Sequence, residues 1–124
     1  MTKRGRLRIK LKRAYDPPDG SDGRRILVDR VWPRGLSKDR LQLDSWCKEA
    51  APSTGLRQWF NHEPEKWDAF RDRYFRELDQ RPEVVAKLLA DCGEGTVTLV
   101  FGATETRYNN AVALKAYLEH RGKK

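Results

Sequence analysis

The sequence predicts an α/β fold: a single layered domain with a small, mostly parallel sheet of three or four strands flanked by helices. Strand-like patterns occur at 6–12, 26–28 and 96–101, and several segments with helical spacing separate the last two. Helices that connect strands favour a layered arrangement in which the strands run parallel. The chain of 124 residues has the size of one domain, so we expect 1–124 to fold as a single unit.

The strands are predicted from how their apolar residues are spaced. Apolar and basic residues alternate along 6–12, which is typical of a strand with one buried face. The short apolar run 26–28 and the β-branched run 96–101 are typical of strands inside a parallel sheet. Segment 41–51 fits either a strand or a short helix, so the fourth strand stays open.

Four helices are predicted from caps and amphipathic spacing. Ser53 or Thr54 caps a short helix, Pro64 suits the start of a longer one, and Pro82 opens a third. The last helix covers 111–120. The buried face of the second helix is predicted to contain Trp67, Phe70, Tyr74 and Leu78.

The formal net charge is +8, and the excess lies at the two ends of the chain. Segment 1–13 has seven basic and no acidic residues, and 121–124 adds three more basic residues. Between them, 14–120 holds 16 basic and 18 acidic residues, a net charge of −2. We predict that 1–5 and 121–124 are flexible basic ends, which allow weak binding to polyanions or nucleic acid.

Several function classes are excluded by features that the sequence lacks. No apolar run approaches the ~20 residues of a membrane-spanning helix, and no secretory signal is present, so we expect a cytoplasmic protein without a membrane role. Phosphate-binding and dinucleotide-binding glycine motifs are missing, so no cofactor is indicated. Cys47 and Cys92 are expected in the core, and with His62 and His120 they form no metal-binding pattern.

The segment after the predicted strand 26–28 holds the strongest candidates for a ligand site. Ligands of open α/β sheets bind beyond the carboxyl ends of the strands. There Arg30 and Arg34 offer guanidinium groups for a phosphate or carboxylate, Trp32 offers a ring for stacking, and Asp29 offers a proton carrier. In the alternative interpretation, Asp29 pairs with an arginine and Trp32 fills the core.

Two further segments add candidates. The strand that ends at 101 is followed by Asn109 and Asn110 at the start of a helix, where free backbone amides attract anions. Thr106 or Asn109 is the expected cap of that helix. Arg57 is a further anion ligand, and His62 is the best-placed titratable base.

Motifs across nearly the whole chain carry a family resemblance. The string D-R-V-W-P-R-G at 29–35 is specific to one family. The segment 51–60 and the aromatic positions of 62–74 match the pattern of the same family. With them the chain, roughly from Arg8 to Leu118, resembles the YeaO-like family of uncharacterised bacterial proteins. The resemblance implies a small cytoplasmic α/β domain, and it assigns neither an activity nor catalytic residues.

Two positions depart from the family pattern. Glu63 stands where the family usually has Asp, and 108–110 reads Tyr-Asn-Asn where a His-Asn-His-like string is usual. The resemblance therefore implies that any acid–base role of those histidines is absent here, and it leaves open whether the protein is an enzyme.

Three functional hypotheses follow. In the first, the loops after strands 26–28 and 97–101 form a pocket that binds a small anionic or phosphorylated ligand. Whether the pocket also processes this ligand stays open. The second is a nonspecific nucleic-acid-binding module that uses the basic first strand and the C-terminal tail, although 1–13 offers no aromatic ring to stack on bases. The third is an interaction protein whose first strand adds to the sheet of a partner. The substrate and the oligomeric state are not indicated.

Overall fold

A four-stranded parallel sheet forms the centre of the molecule, of which the computed structural model describes residues 7–122. Its strands are β1 (Leu7–Arg13), β2 (Arg24–Leu27), β3 (Ser45–Trp46) and β4 (Gly95–Phe101). Their spatial order is β1–β4–β2–β3, and every neighbouring pair is parallel. The predicted α/β class and small parallel sheet are confirmed.

The register brings the carboxyl ends of β2 and β4 to one edge of the sheet. β4 pairs with β1 along seven residues and with β2 along four. Beyond the end of β2, the amide of Val28 still donates to the carbonyl of Val100 at 3.1 Å. The loops that leave these two strands therefore begin side by side.

Five helices flank the sheet: α1 (Lys38–Leu41), α2 (Thr54–Phe60), α3 (Trp67–Asp79), α4 (Pro82–Cys92) and α5 (Asn110–Gly122). The hydroxyl oxygen of Ser53 accepts from the amide of Leu56 at 3.2 Å, so Ser53 is the cap of α2. Pro64 begins a 3-10 turn that leads into α3. The predicted helix starts are thus close to the observed ones.

The ambiguous segment 41–51 contains the fourth strand. It includes the end of α1, the two residues of β3, and a 3-10 turn at Lys48–Ala50. At the carboxyl terminus, α5 continues to Gly122, so the first half of the predicted basic end 121–124 belongs to the helix backbone. The remaining end residues, 1–6 and 123–124, lie outside the described residues.

The main hydrophobic core lies between one face of the sheet and helices α2 to α5. Leu99 of the central strand and Leu88 of α4 are fully buried there, and Phe70 and Tyr74 of α3 pack in the same cluster. Burial of each such side chain contributes about 1.5–3 kcal/mol to folding. Phe70, Tyr74 and Leu78 confirm the predicted inner face of α3.

A smaller cluster covers the opposite face of the sheet. Leu27 and Val100 point to this side, because side chains alternate along a strand, and Leu41 of α1 packs against them. Trp32 and Trp46 close the cluster with their rings at 5.3 Å, edge to face.

A buried ion-pair network also lies on this second face. The carboxylate of Asp22 is 1% exposed and accepts from Lys12 Nζ at 2.9 Å and from Arg25 Nη1 at 2.6 Å. Burial alone raises the pKa of Asp22, but hydrogen bonds from Lys12, the Asp19 amide and Arg25 together hold it below its ordinary value of 3.8. The network therefore stabilises the ionised carboxylate.

Both cysteines of the chain are buried, and neither takes part in a disulfide bond. Cys47 and Cys92 are free thiols in the core, and burial raises the pKa of Cys92 to about 11. Across residues 7–122, no three His, Cys, Asp or Glu side chains form a group that would hold a metal ion. In the same stretch of chain, no helix is long and apolar enough to cross a membrane.

Truncation of the central strand tests the main core. We expect Leu99→Ala to lower the free energy of unfolding by about 2–5 kcal/mol, because it leaves a cavity among fully buried neighbours. The control is Val31→Ala, since Val31 is 62% exposed and its truncation should change little. Urea denaturation measures both, and equal effects of the two changes would contradict this core.

Acid titration tests the Asp22 network. A carboxyl whose folded pKa is lowered contributes stability above its unfolded value of 3.8 and loses that contribution as pH falls through the folded pKa. Asp22→Asn should therefore cost about 3–5 kcal/mol at neutral pH, because Arg25 then stays buried without its anion. The difference between variant and wild type should shrink steadily below pH 3.8 in urea titrations. A difference that is constant with pH would refute the assignment.

Candidate functional site

A cleft of about 390 Å³ opens at the edge of the sheet where β2 and β4 end. Its walls come from the loops after these strands, from the end of α2 and from the start of α5. Six of the eight residues predicted for the site line it. They are Asp29, Arg30, Arg57, His62, Asn109 and Asn110.

Asp29 joins the loop after β2 to the loop after β4. Its Oδ2 accepts from the amide of Gly102 at 2.7 Å, and its Oδ1 accepts from the side-chain amide of Asn110 at 3.2 Å. Burial raises the pKa of Asp29 above its ordinary value of 3.8, and these hydrogen bonds and the charge of Arg57 only partly offset it. Asp29 is thus held by neutral donors, and the expected pairing with an arginine is not observed.

Arg30 is anchored by carbonyl groups instead of a carboxylate. Its Nη2 donates weakly to the carbonyls of Ala51 and Pro52, at 3.3 and 3.4 Å. Within residues 7–122, no carboxylate oxygen lies within 4.0 Å of the guanidinium, and the buried Nε has no hydrogen-bond partner. A buried donor without an acceptor costs about 1–3 kcal/mol. The positive charge of Arg30 is thus held at the cleft without a carboxylate partner from residues 7–122.

The segment that anchors Arg30 is itself fixed by α3. The hydroxyl of Tyr74 donates to the carbonyl of Ala50. The carboxylate of Glu77 accepts from the amide of Ser53 at 2.8 Å and from its hydroxyl at 2.6 Å. The position of Arg30 in the cleft therefore depends on helix α3.

His62 reaches the cleft through an unusual turn. After α2 ends, Asn61 and His62 both adopt left-handed backbone conformations, with φ of +48° and +55°. This conformation is costly for a residue with a Cβ atom, and asparagine tolerates it better than histidine. The turn places the exposed imidazole 5.9 Å from the ring of Phe60.

The two asparagines at the start of α5 have different tasks. Asn109 is 1% exposed, and its Oδ1 accepts from the amide of Val112 at 2.9 Å, so it is the cap of α5. Its Nδ2 donates to the carbonyl of Glu105 at 2.7 Å. Asn110 instead contacts Asp29 inside the cleft. Of the alternatives for the cap, Asn109 is therefore the observed one.

The floor of the cleft was not anticipated as part of a site. Phe60 and Phe70 stack with their ring centroids 4.3 Å apart, and both line the cleft. Their helical spacing is the same as that of ordinary core residues, so the sequence carries no signal that separates the two roles. Ala51 and Ala103 complete the apolar part of the lining.

Trp32 and Arg34 lie outside the cleft lining. The indole of Trp32 donates to the carbonyl of Leu36 at 2.6 Å and packs in the small cluster on the opposite face of the sheet. Arg34 is exposed, and its carbonyl accepts from the hydroxyl of Tyr15 at 2.9 Å. Trp32 is thus partly buried against the small cluster, and neither Trp32 nor Arg34 lines the cleft that Arg30 borders.

Replacement of His62 tests the left-handed turn. Glycine adopts positive φ without steric cost, whereas alanine keeps the strain. We expect His62→Gly to be more stable than His62→Ala by about 1 kcal/mol in urea denaturation. Equal stability, or a more stable alanine variant, would show that position 62 is not left-handed.

Comparisons with known proteins find relatives of this chain. Residues 8–124 match a family model described as "Inactive DUF488-N3 subclade". The chain is 46% identical over 113 residues to the uncharacterized protein YeaO of Escherichia coli (strain K12), an alignment that covers 90% of this chain and 97% of that protein. It is 39% identical over 114 residues to the uncharacterized protein Rv3073c of Mycobacterium tuberculosis (strain ATCC 25618 / H37Rv), covering 92% and 96%. No solved structure matches the chain significantly.

These relatives confirm the resemblance that the D-R-V-W-P-R-G string indicates. The matched proteins align over almost their whole length with almost the whole of this chain, so the likeness is not confined to one segment. Their names state no activity. The chain belongs to the YeaO-like family of uncharacterised bacterial proteins, within the group described as the inactive DUF488-N3 subclade.

Proposed function

We propose that the cleft binds a small ligand through an anionic group, a phosphate or a carboxylate. The observation that carries this proposal is the state of Arg30, which borders the cleft and has no carboxylate partner among residues 7–122. An anion in the cleft would supply that missing partner. Arginine binds planar oxyanions with two parallel hydrogen bonds, which suits both groups.

The charges of the cleft also favour an anion. Arg30 and Arg57 contribute two positive charges, and Asp29 contributes one negative charge that burial disfavours. His62 adds a further positive charge when it is protonated. The partly apolar walls of the cleft strengthen the attraction of these charges for an anion compared with a flat, fully solvated surface.

Binding is favoured over catalysis. Asp29, predicted as a proton carrier, already accepts hydrogen bonds at both oxygens, and His62 is an exposed side chain with no hydrogen bond to Asp29 among residues 7–122. The family is described as inactive, which agrees with a binding role. We therefore propose a ligand-binding protein and assign no reaction to it.

Three basic side chains of β1 have internal acceptors, which weighs against the nucleic-acid hypothesis, whereas Arg8 of the same strand is exposed. Lys12 pairs with Asp22, and Lys10 donates to the carbonyl of Ser21 at 3.1 Å. Arg13 donates to the carbonyl of Ala103 at 3.0 Å. Basic side chains that are occupied by internal acceptors are poor ligands for phosphate groups of nucleic acid.

Calorimetric titration with sulfate and with acetate tests the anion site. Arg57→Gln should weaken binding about five- to tenfold, because a partly exposed charge contact contributes about 1 kcal/mol. Arg34→Gln is the matched control, since this exposed arginine lies outside the cleft, and its affinities should match the wild type. Absence of binding to the wild type, or equal losses in both variants, would refute the proposal.

A further inference from the structure

The cleft holds opposite charges that do not pair with each other. Asp29 is fixed by Gly102 and Asn110, and Arg30 is fixed by the carbonyls of Ala51 and Pro52. These separate anchors keep the carboxylate and the guanidinium more than 4.0 Å apart, although both border the same cleft.

Both groups have binding capacity that their anchors leave unused. A carboxylate accepts about four hydrogen bonds, and Asp29 receives one at each oxygen from the described part of the chain. Arg30 borders the cleft and has no carboxylate partner among residues 7–122. Since burial disfavours the charged form of Asp29, its ionised carboxylate lacks part of the stabilisation that water would supply.

A simple anion would satisfy only one side of this arrangement. It would fill the acceptor position at Arg30 and Arg57, but it would lie near the negative charge of Asp29 and leave that carboxylate without a new donor. A ligand that carries a positive charge or a strong N–H donor beside its anionic group satisfies both sides. Complementary placement of charges is the usual source of specificity in such sites.

We propose that the ligand is dipolar, with a phosphate or carboxylate bound by Arg30 and Arg57 and a protonated amine bound by Asp29. This inference rests on the proposed anion site and names the ligand class for it. The volume of about 390 Å³ limits the ligand to a small molecule, and the stacked rings of Phe60 and Phe70 accommodate an apolar portion. Amino acids and amino-alkyl phosphates are the chemical classes that fit.

The test uses pairs of compounds that differ only by the amine, titrated calorimetrically at pH 7. The pairs are L-phenylalanine with 3-phenylpropanoate, and 2-aminoethyl phosphate with ethyl phosphate. In at least one pair the amine should improve affinity about tenfold, as expected for an additional charge-assisted contact in a partly buried site. Asp29→Asn should reduce this preference to less than about twofold, because the neutral amide no longer attracts the protonated amine and both compounds of a pair are compared on the same variant.

The matched control is Asp39→Asn, because this exposed carboxylate of α1 lies outside the cleft and should leave the preference unchanged. Equal affinities within both pairs for the wild type would overturn the dipolar ligand while the anion site stands. The wild-type comparison decides this even if Asp29→Asn does not fold. A preference that persists in a folded Asp29→Asn variant would also overturn it. If neither sulfate nor any of the four compounds binds, the proposed function itself fails, and this inference fails with it.

Discussion

The hydrogen bond from the Gly102 amide to the carboxylate of Asp29 connects the two loops on which the cleft depends. Parallel pairing of β2 and β4 brings the loops side by side, but it does not fix their paths beyond the last pair. Asp29 does so, because its second oxygen also holds Asn110 at the start of α5. These contacts hold the two loops in place, and the cleft lies between them.

The two faces of the sheet have different roles. Four helices bury the main core on one face, whereas the other face is covered by the small cluster around Leu27 and by the ion pairs of Asp22. Lys12 of β1 and Arg25 of β2 neutralise the buried carboxylate of Asp22, so part of the charge of the basic first strand is used inside the fold.

Much of the fold and part of the cleft could be predicted because they follow from local rules. Alternation predicts β1, and capping residues such as Ser53 and Asn109 mark helix starts within a few residues. The sequence predicts Asp29 and Arg30 near the cleft because they directly follow a strand that ends at this edge of the sheet. It does not predict that Trp32 packs against Trp46 on the opposite face of the sheet, because that contact joins two separate segments of the chain. The helical positions of Phe60 and Phe70 are typical of core residues, so the sequence does not predict that their rings line the cleft.

The anchoring of Ala50 and Ser53 by Tyr74 and Glu77 has a consequence for how substitutions can change the cleft. Helix α3 supplies core residues and also fixes the segment that holds Arg30, so a substitution there changes the core and the position of Arg30 together. Exposed positions of α2 and a half-buried position of the loop before α5 border the cleft without belonging to this anchor. Substitutions at those positions are expected to change the walls of the cleft while the scaffold beneath them stays the same.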